Sequence, residues 1–163
     1  MRILAIDPGT TQSAHLLWDG ETAQGAIVSN AEVRTVIHEG DYDVAAIEMV
    51  ACYGMAVGKE VFETCLWIGR FEECWLNSRH LVAAVNPKIK FRLVYRRDIK
   101  HHFCNSAKAK DANIRQAILD RFGGKDKAIG KKANQGPLYG IKSHLWSALA
   151  IALYVQDQNG RQA

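Results

Sequence analysis

The sequence predicts an α/β fold in which a mixed five-stranded sheet carries helices on both faces. Three short apolar runs separated by tight turns open the chain, which is typical of an antiparallel meander. Two further apolar runs then alternate with segments of helical spacing, the pattern of a layered α/β arrangement. A chain of 163 residues, 48% of them apolar, has room for one such core and little for a second, so we predict a single domain over residues 1–163.

The first predicted strand is Ile3-Leu4-Ala5-Ile6, and it ends at Asp7-Pro8-Gly9-Thr10 because proline and glycine stop a strand and turn the chain. Residues 13–18 and 22–28, on either side of the Asp19-Gly20 turn, complete the meander. Residues 43–48 form a fourth strand, which ends at Glu48 and lies parallel to the first, and residues 91–95 form a fifth. Helices are predicted at residues 31–39, with Asn30 as the cap, and at 57–79, 111–122 and 143–156.

Two carboxylates are predicted at one edge of this sheet. In a sheet of this order the first and fourth strands are neighbours, so Asp7 and Glu48 lie side by side where these strands end. Two buried carboxylates repel each other unless one is protonated or both share a cation. Oxygen-rich sites of this kind suit Mg²⁺ or Mn²⁺, and such ions can activate a water and stabilise the leaving oxygen of a phosphodiester. The alternative for Asp7 is a structural role as the cap of its turn.

A strongly basic segment, residues 88–132, follows this pair, and we call it the basic strip. It contains 14 Lys or Arg against 4 Asp, a net charge of +10, whereas the rest of the chain has 7 basic and 13 acidic side chains, a net charge of −6. Such a density attracts a polyanion, most commonly nucleic acid, although a solvated surface is the alternative. Gly123, Gly124 and Gly130 favour a flexible arm within the strip. The candidate DNA contacts are Arg96, Arg97, Lys100, Lys108, Lys110, Arg115, Lys131 and Lys132.

Other features argue against several classes of protein. No window approaches the roughly 18–20 consecutive apolar residues that cross a bilayer, and Asp7 interrupts the N-terminal apolar run too early for a signal peptide. We therefore expect a cytoplasmic protein whose four cysteines, at positions 52, 65, 74 and 104, are free and mostly buried thiols. The segment His101-His102-Phe103-Cys104 resembles half of a zinc site, but no second half with ligand spacing follows it.

The two strand ends that carry carboxylates also resemble a known family. Ile6-Asp7-Pro8-Gly9-Thr10 and Ile47-Glu48, together with residues 144–152, are similar to the motifs of the RuvC family of Holliday junction resolvases. The likeness runs from Met1 to about Tyr154, and segments 53–55 and 110–116 resemble its phage and prophage branch. The resemblance implies a ribonuclease-H-like fold, a homodimer and two divalent cations, Mg²⁺ or Mn²⁺. It also implies symmetric nicking of four-way or other branched DNA in recombination and repair, in the bacterial host cell if the protein is phage-encoded.

The resemblance further assigns roles to individual residues. It implies that Asp7, Glu48 and His144 are catalytic and bind the metal. The family places carboxylates at the positions of His144 and Ser147, which are three apart and share a helix face. Serine is a weak metal ligand, so Asp111 could supply the missing carboxylate. The alternatives are that Asp111 caps its helix and that His144 is a core or capping residue. If His144 binds metal, its imidazole favours Mn²⁺ over Mg²⁺.

Two more predictions concern contacts outside the metal site. Tyr53 lies where the family presents a residue to the junction, so it is expected either to stack on an exposed base or to pack in the core. The 57–79 helix carries more apolar residues than one buried face requires. This excess predicts a second apolar face that forms the dimer contact, with Trp67 and Trp75 on it.

Three other functions remain open. One is a related nuclease of the YqgF type that acts on RNA, although the long helix from Val57 and the basic strip fit the junction enzymes better. Serine at position 147 is compatible with a protein that binds branched DNA without cutting it, although such a protein would gain nothing from buried acids at Asp7 and Glu48. The turn Asp7-Pro8-Gly9-Thr10-Thr11 resembles the phosphate turn of actin-like ATPases and sugar kinases. Those proteins have two lobes around the nucleotide, and this chain has residues for one.

Overall fold

The computed structural model describes residues 1–52, 54, 56–86 and 89–160. Its centre is a five-stranded sheet in the order β3-β2-β1-β4-β5. β1 (Ile3–Asp7), β2 (Gln12–Trp18) and β3 (Ala23–Ser29) form the predicted antiparallel meander, while β4 (Val44–Met49) is parallel to β1, and β5 (Lys90–Tyr95) is parallel to β4. The predicted mixed five-stranded sheet is therefore confirmed.

Two helices of the structure are absent from the sequence prediction, and the short one, at residues Lys125–Ala128, lies in the glycine-rich segment. Residues Arg96–Cys104 form a helix directly after β5, and the sequence pattern misses it because Ile99 is its one fully buried residue. No helix in the described part of the chain has the length and apolarity needed to cross a membrane. The helices are α1 (Asn30–Glu39), α2 (Lys59–Val85), α3 (Arg96–Cys104), α4 (Asp111–Arg121), α5 (Lys125–Ala128) and α6 (Leu145–Gly160), and a small hairpin consists of β6 (Gly130–Lys131) and β7 (Asn134–Gln135).

The side chains of β1 alternate between two hydrophobic layers because successive strand residues point to opposite faces. Ile3 and Ala5 pack in the layer that includes α4 and α6, whereas Leu4 and Ile6 pack in the layer that includes α1 and α2. All four side chains are fully buried. Helices thus cover both faces of the sheet, as predicted, and the ends of β1 and β4 are held between two apolar layers.

A network of side-chain hydrogen bonds fixes the turn that follows Asp7. Asn30 donates from Nδ2 to the Gly9 carbonyl oxygen at 2.9 Å and accepts at Oδ1 from the Ser13 hydroxyl at 2.6 Å. The prediction that Asn30 caps α1 is wrong, because the cap is Ser29, which forms a capping box with Glu32. Asn30 is instead 1% exposed and ties the first turn of the chain to the start of α1.

The glycine-rich part of the basic strip is folded rather than a flexible arm. α5 and the β6–β7 hairpin occupy residues 125–135. The Leu138 amide donates to the Ala128 carbonyl at 2.8 Å, and both side chains are fully buried. A Cβ at Gly136 would lie 2.2 Å from the Lys127 carbonyl oxygen, so this close approach requires glycine. The glycines therefore permit tight packing and turns here, which composition alone does not distinguish from flexibility.

One carboxylate joins three of the helices. Asp157 on α6 accepts from Arg121 of α4, with Nη1–Oδ2 and Nη2–Oδ1 distances of 2.6 and 2.8 Å. The same carboxylate lies 2.7 Å from Nε2 of His102 on α3. His102, part of the candidate half zinc site, therefore has a structural partner. The four cysteines are free as predicted, but Cys52 is exposed and the others are half-buried, so the expectation of mostly buried thiols is wrong.

Candidate active site

The predicted pair of carboxylates lies at the ends of two neighbouring parallel strands. Ile6 of β1 is opposite Ile47 of β4, so Asp7 and Glu48, the next residues of the two strands, end up side by side. Both side chains are 16% exposed. The sheet itself therefore creates the cluster of buried negative charge from which the site is built.

Burial governs the protonation of both carboxyl groups. Desolvation raises the pKa of Glu48 to about 7, the charges of Asp7 and Asp111 add to the rise, and Arg96 and Lys100 oppose it. The pKa of Asp7 is also raised, again by desolvation, although His144, Arg96 and Ser147 act in the opposite direction. Neighbouring side chains thus compensate the buried charges in part only.

His144 contacts Asp7 from the segment that precedes α6. Its Nδ1 lies 3.0 Å from Oδ2 of Asp7, and 70% of its side chain is exposed. This exposure rules out a core histidine. The His144 carbonyl accepts from the Ser147 amide at 3.0 Å, which brings both residues to the first turn of α6, on the side of Asp7. Ser147 interacts with Asp7 through its hydroxyl, so the two positions face the site together, as their spacing predicts.

Arg96 lies among the carboxylates, a position that the sequence analysis missed. It follows β5 directly, and its guanidinium contacts Glu48 (Nη1–Oε2, 3.4 Å), Asp111 (Nη2–Oδ1, 2.6 Å) and the Ser147 hydroxyl (3.4 Å). Arg96 was predicted to be a DNA contact of the basic strip, but its side chain is only 21% exposed and is bonded to other side chains of the protein. The sequence did contain a signal for this position: Arg96 directly follows the strand next to β4, and the ends of parallel strands meet at one edge of the sheet.

Asp111 reaches the site through Arg96. It is the first residue of α4, and the cap is Lys110, so the interpretation of Asp111 as the cap is wrong. Its side chain is 73% exposed, and its described ion pair is with Arg96. The structure thus brings Asp7, Glu48, His144 and Arg96 together. Asp111 lies on the far side of the Arg96 guanidinium from Glu48.

Comparisons with known proteins agree with this architecture. No family model matches the sequence, and no curated protein does. A solved structure of Thermus thermophilus RuvC is similar to this chain, with a TM-score of 0.59 and 19% sequence identity over 94% of this chain and 92% of that one. T. thermophilus RuvC in complex with a Holliday junction substrate gives a TM-score of 0.56 and 21% identity, with the same coverage. The chain has a RuvC-like fold.

The donor set of this RuvC-like fold suits one hard or intermediate divalent cation. Asp7, Glu48 and His144 provide buried oxygens and an accessible imidazole, and the buried carboxylates lack full compensation. In the described part of the chain, however, no three His, Cys, Asp or Glu side chains converge as they would around an ion. Glu48 and Asp111 are separated by the Arg96 guanidinium, so the residues fit a cation beside Asp7 better than one between Glu48 and Asp111.

The remaining candidate DNA contacts spread over several elements. Arg97 and Lys100 are on α3, Lys110 caps α4, and Lys108 is exposed between these helices. Lys131 and Lys132 are exposed on the β6–β7 hairpin. Tyr53 lies outside the described residues, so its role stays a prediction. Arg96 and Arg115 line a cavity next to Asp111 and His144, and Lys100 is close enough to Glu48 to lower its pKa.

Arg115 borders a cavity next to the carboxylates. The cavity has a volume of about 380 Å³ and is lined by Arg96, Asp111, Arg115, His144, Trp146 and Ser147, among others. The guanidinium of Arg115 lies 4.7 Å from the centre of the Trp146 ring, which orients this charge on the cavity wall. A positive side chain is therefore held beside the carboxylate cluster.

The two tryptophans predicted at a dimer contact differ in exposure. Trp75 is 6% exposed and packs against Phe91 at a ring-centre distance of 5.6 Å, so its predicted place on the outer face is wrong. Trp67 is half-buried and packs on Phe71 at 5.8 Å. The outer face of α2 carries other apolar side chains: Phe62, Leu66 and Leu76 are 59%, 62% and 46% exposed.

Proposed function

We propose that the protein is a divalent-metal-dependent endonuclease that nicks four-way junctions or other branched DNA by phosphodiester hydrolysis. The observation that carries this proposal is the pair of buried carboxylates, Asp7 and Glu48, side by side at the ends of β1 and β4 of a RuvC-like fold. The similar T. thermophilus RuvC is known in complex with a Holliday junction substrate, which supports branched DNA as the ligand.

In this proposal Asp7, Glu48 and His144 hold the cation, which when bound supplies Lewis-acid polarisation of the phosphate and an activated water. Nδ1 of His144 lies 3.0 Å from Oδ2 of Asp7, so this nitrogen would bind the cation beside Asp7. Arg96 offsets part of the negative charge that a phosphate would meet at this edge of the sheet. A second ion would have to displace the Arg96 guanidinium from Glu48 and Asp111.

The basic strip is proposed to bind the DNA backbone. Its candidate contacts are exposed lysines and arginines apart from Lys100, which is half-buried, and Arg115 is held on the cavity wall by Trp146. Phosphate contacts of this kind provide affinity without reading base sequence. Tyr53 is retained in the proposal as a residue that stacks on an exposed base, and the phage-type assignment and the cytoplasmic location also remain proposals. The phosphate contacts proposed are Arg97, Lys100, Lys108, Lys110, Arg115, Lys131 and Lys132.

A nicking assay tests the proposed function directly. Purified protein is incubated with an end-labelled four-way junction, or with a linear duplex of matched sequence, in Mn²⁺, Mg²⁺ or EDTA. We expect paired nicks on the junction, none on the duplex and none in EDTA, with Mn²⁺ more effective than Mg²⁺ because an imidazole is among the ligands. Absence of nicks in both metals would contradict the proposal.

A second candidate function is favoured by one observation. A neutral side chain, Ser147, stands where the RuvC family has a carboxylate, and the positive Arg96 lies between it and Glu48. This arrangement is expected if the domain binds branched DNA without cutting it. In the same assay this candidate predicts a stable protein–junction complex in Mn²⁺, detected by gel shift, with no nicked product. The raised pKa values of Asp7 and Glu48 argue against it, because a binding protein has no use for two costly buried acids.

We also propose a homodimer formed through α2. The support is the row of exposed apolar side chains on this helix, which a solvated monomer would leave in water. Val57, which precedes α2, is 39% exposed and extends the row.

Replacing Leu66 by Asp is expected to shift the protein from dimer to monomer in sedimentation velocity, since Leu66 is the most exposed of these α2 side chains. Tyr139→Asp, a similar change at a 37% exposed apolar residue outside α2, serves as the control and is expected to leave the dimer intact. A wild-type protein that sediments as a monomer at micromolar concentration would contradict this assignment.

A further inference from the structure

We infer that Arg96 is a resident cation of the active centre, that it takes the place of one of the two divalent ions implied by the RuvC resemblance, and that each chain therefore binds a single ion. This inference rests on the proposed function, because it concerns the metal content of the same site. It assigns Arg96 a role in the centre in place of the DNA contact predicted from the sequence.

The guanidinium of Arg96 occupies the space between two carboxylates. Arg96 bridges two carboxylates, with Nη1 3.4 Å from Glu48 Oε2 and Nη2 2.6 Å from Asp111 Oδ1. A divalent ion shared by Glu48 and Asp111 would have to occupy the space between them that the guanidinium fills. The guanidinium stays protonated under all working conditions, so it neutralises these oxygens permanently. The position between Glu48 and Asp111 is thus already held by a cation.

The net charge of the site also matches a single divalent ion. When ionised, Asp7, Glu48 and Asp111 contribute three negative charges, and Arg96 reduces the total to two, which a single divalent ion neutralises. A fourth carboxylate in place of Ser147, without Arg96, would leave four negative charges and call for two divalent ions. Ser147 instead offers its hydroxyl oxygen 3.4 Å from Nη2 of Arg96, so a neutral group borders the guanidinium.

The fold holds Arg96 in this place. β5 pairs in parallel with β4 up to Met49 and Tyr95, and Arg96 is the next residue, so its side chain starts from the sheet edge that carries Glu48. The side chain is 21% exposed. Pulling a half-buried guanidinium away from its carboxylates leaves those charges unpaired, which is strongly unfavourable. In the described residues no group of three acidic or other metal-binding side chains surrounds Glu48 and Asp111, so no ready-made ion site is present there to replace the guanidinium.

The test is the number of Mn²⁺ ions bound per chain, measured by calorimetric titration and by electron paramagnetic resonance of free Mn²⁺. Wild-type protein is expected to bind one ion. The double variant Arg96→Met, Ser147→Asp is expected to bind two, because it removes the resident cation and adds a carboxylate. Arg2→Met, which removes an arginine that pairs with Asp41 outside the centre, is the matched control and is expected to bind one ion.

The outcomes separate this inference from the proposed function. Two ions per wild-type chain would overturn the inference and leave the proposed nuclease intact. No bound Mn²⁺ in wild-type protein would overturn both. Arg96→Lys, which keeps the positive charge, is expected to retain a stoichiometry of one. The wild-type measurement alone is decisive if the double variant proves unfolded by circular dichroism.

Discussion

The variant Asp7→Asn is expected to lose junction nicking by about 100-fold or more while it retains its affinity for the uncut junction. Asparagine has the shape of aspartate and can still face His144, but it removes the negative charge that would attract the cation. Affinity for DNA is expected to persist because it arises from phosphate contacts of the basic strip, which the variant leaves unchanged. Nicking rates and gel-shift affinities with the same labelled junction measure the two effects separately.

Asp41→Asn is the matched control for this variant. It makes the same chemical change near the opposite end of the β1–β4 pair, where Asp41 pairs with Arg2 and its side chain is 85% exposed. We expect wild-type nicking from it. If Asp7→Asn cleaved junctions at the wild-type rate, the buried pair of acids would have no catalytic role and the endonuclease proposal would fail.

The variant Glu48→Gln is expected to abolish nicking and, in metal-free buffer at pH 8, to make the protein more stable than the wild type. Burial raises the pKa of Glu48 from its ordinary value of 4.5 to about 7, so the folded state holds this proton more tightly than the unfolded state. The stability that this proton contributes is complete below pH 4.5 and is lost as the pH rises through about 7. Glutamine imitates the protonated form and keeps that stability at every pH.

Thermal unfolding in EDTA checks this expectation. At pH 8 we expect Glu48→Gln to melt about 3–8 °C above the wild type, which corresponds to about 1–3 kcal/mol for a chain of this size. At pH 4.5 the two proteins should melt within about 1 °C of each other, because the wild-type group is then protonated in the folded state and about half protonated in the unfolded state, so little of the difference remains. Glu21→Gln, at an exposed turn, is the control and should follow the wild type at both pH values.

Addition of Mn²⁺ is expected to reverse the order of stability. A cation that binds only the folded wild-type protein stabilises it by mass action, and Glu48→Gln has lost one of the proposed ligands. A Glu48→Gln protein that melts below the wild type at pH 8 in EDTA would show that Glu48 is well compensated by its neighbours. The interpretation that neighbouring side chains compensate the charges of Asp7 and Glu48 only in part would then be wrong.

The juxtaposition of Asp7 and Glu48 could be predicted from sequence because local features fix it. Proline and glycine end β1, the apolar run before Glu48 defines β4, and a parallel pairing of neighbouring strands leaves little freedom in register. The structure confirms this pairing, with Ile6 opposite Ile47. The sheet, its order and its two helical faces follow from the same local signals.

Arg96 could not be placed in the same way, because its role depends on tertiary contacts. In the sequence it is one of fourteen basic residues in the basic strip, and α3, which it begins, has too little buried surface to be recognised from an apolar pattern. The sequence also did not predict which face of α2 packs on the sheet. A long helix with apolar residues around most of its circumference does not reveal that Trp75 is buried and Leu66 exposed.

The carboxylate of Asp157 makes α3, α4 and α6 a single mechanical body. These helices contribute Arg96, Asp111 and Ser147, so the spacing of the three groups is maintained from a point about 15 Å further along α6 than Ser147. A load on any one of the three helices would therefore reach the other two through this carboxylate.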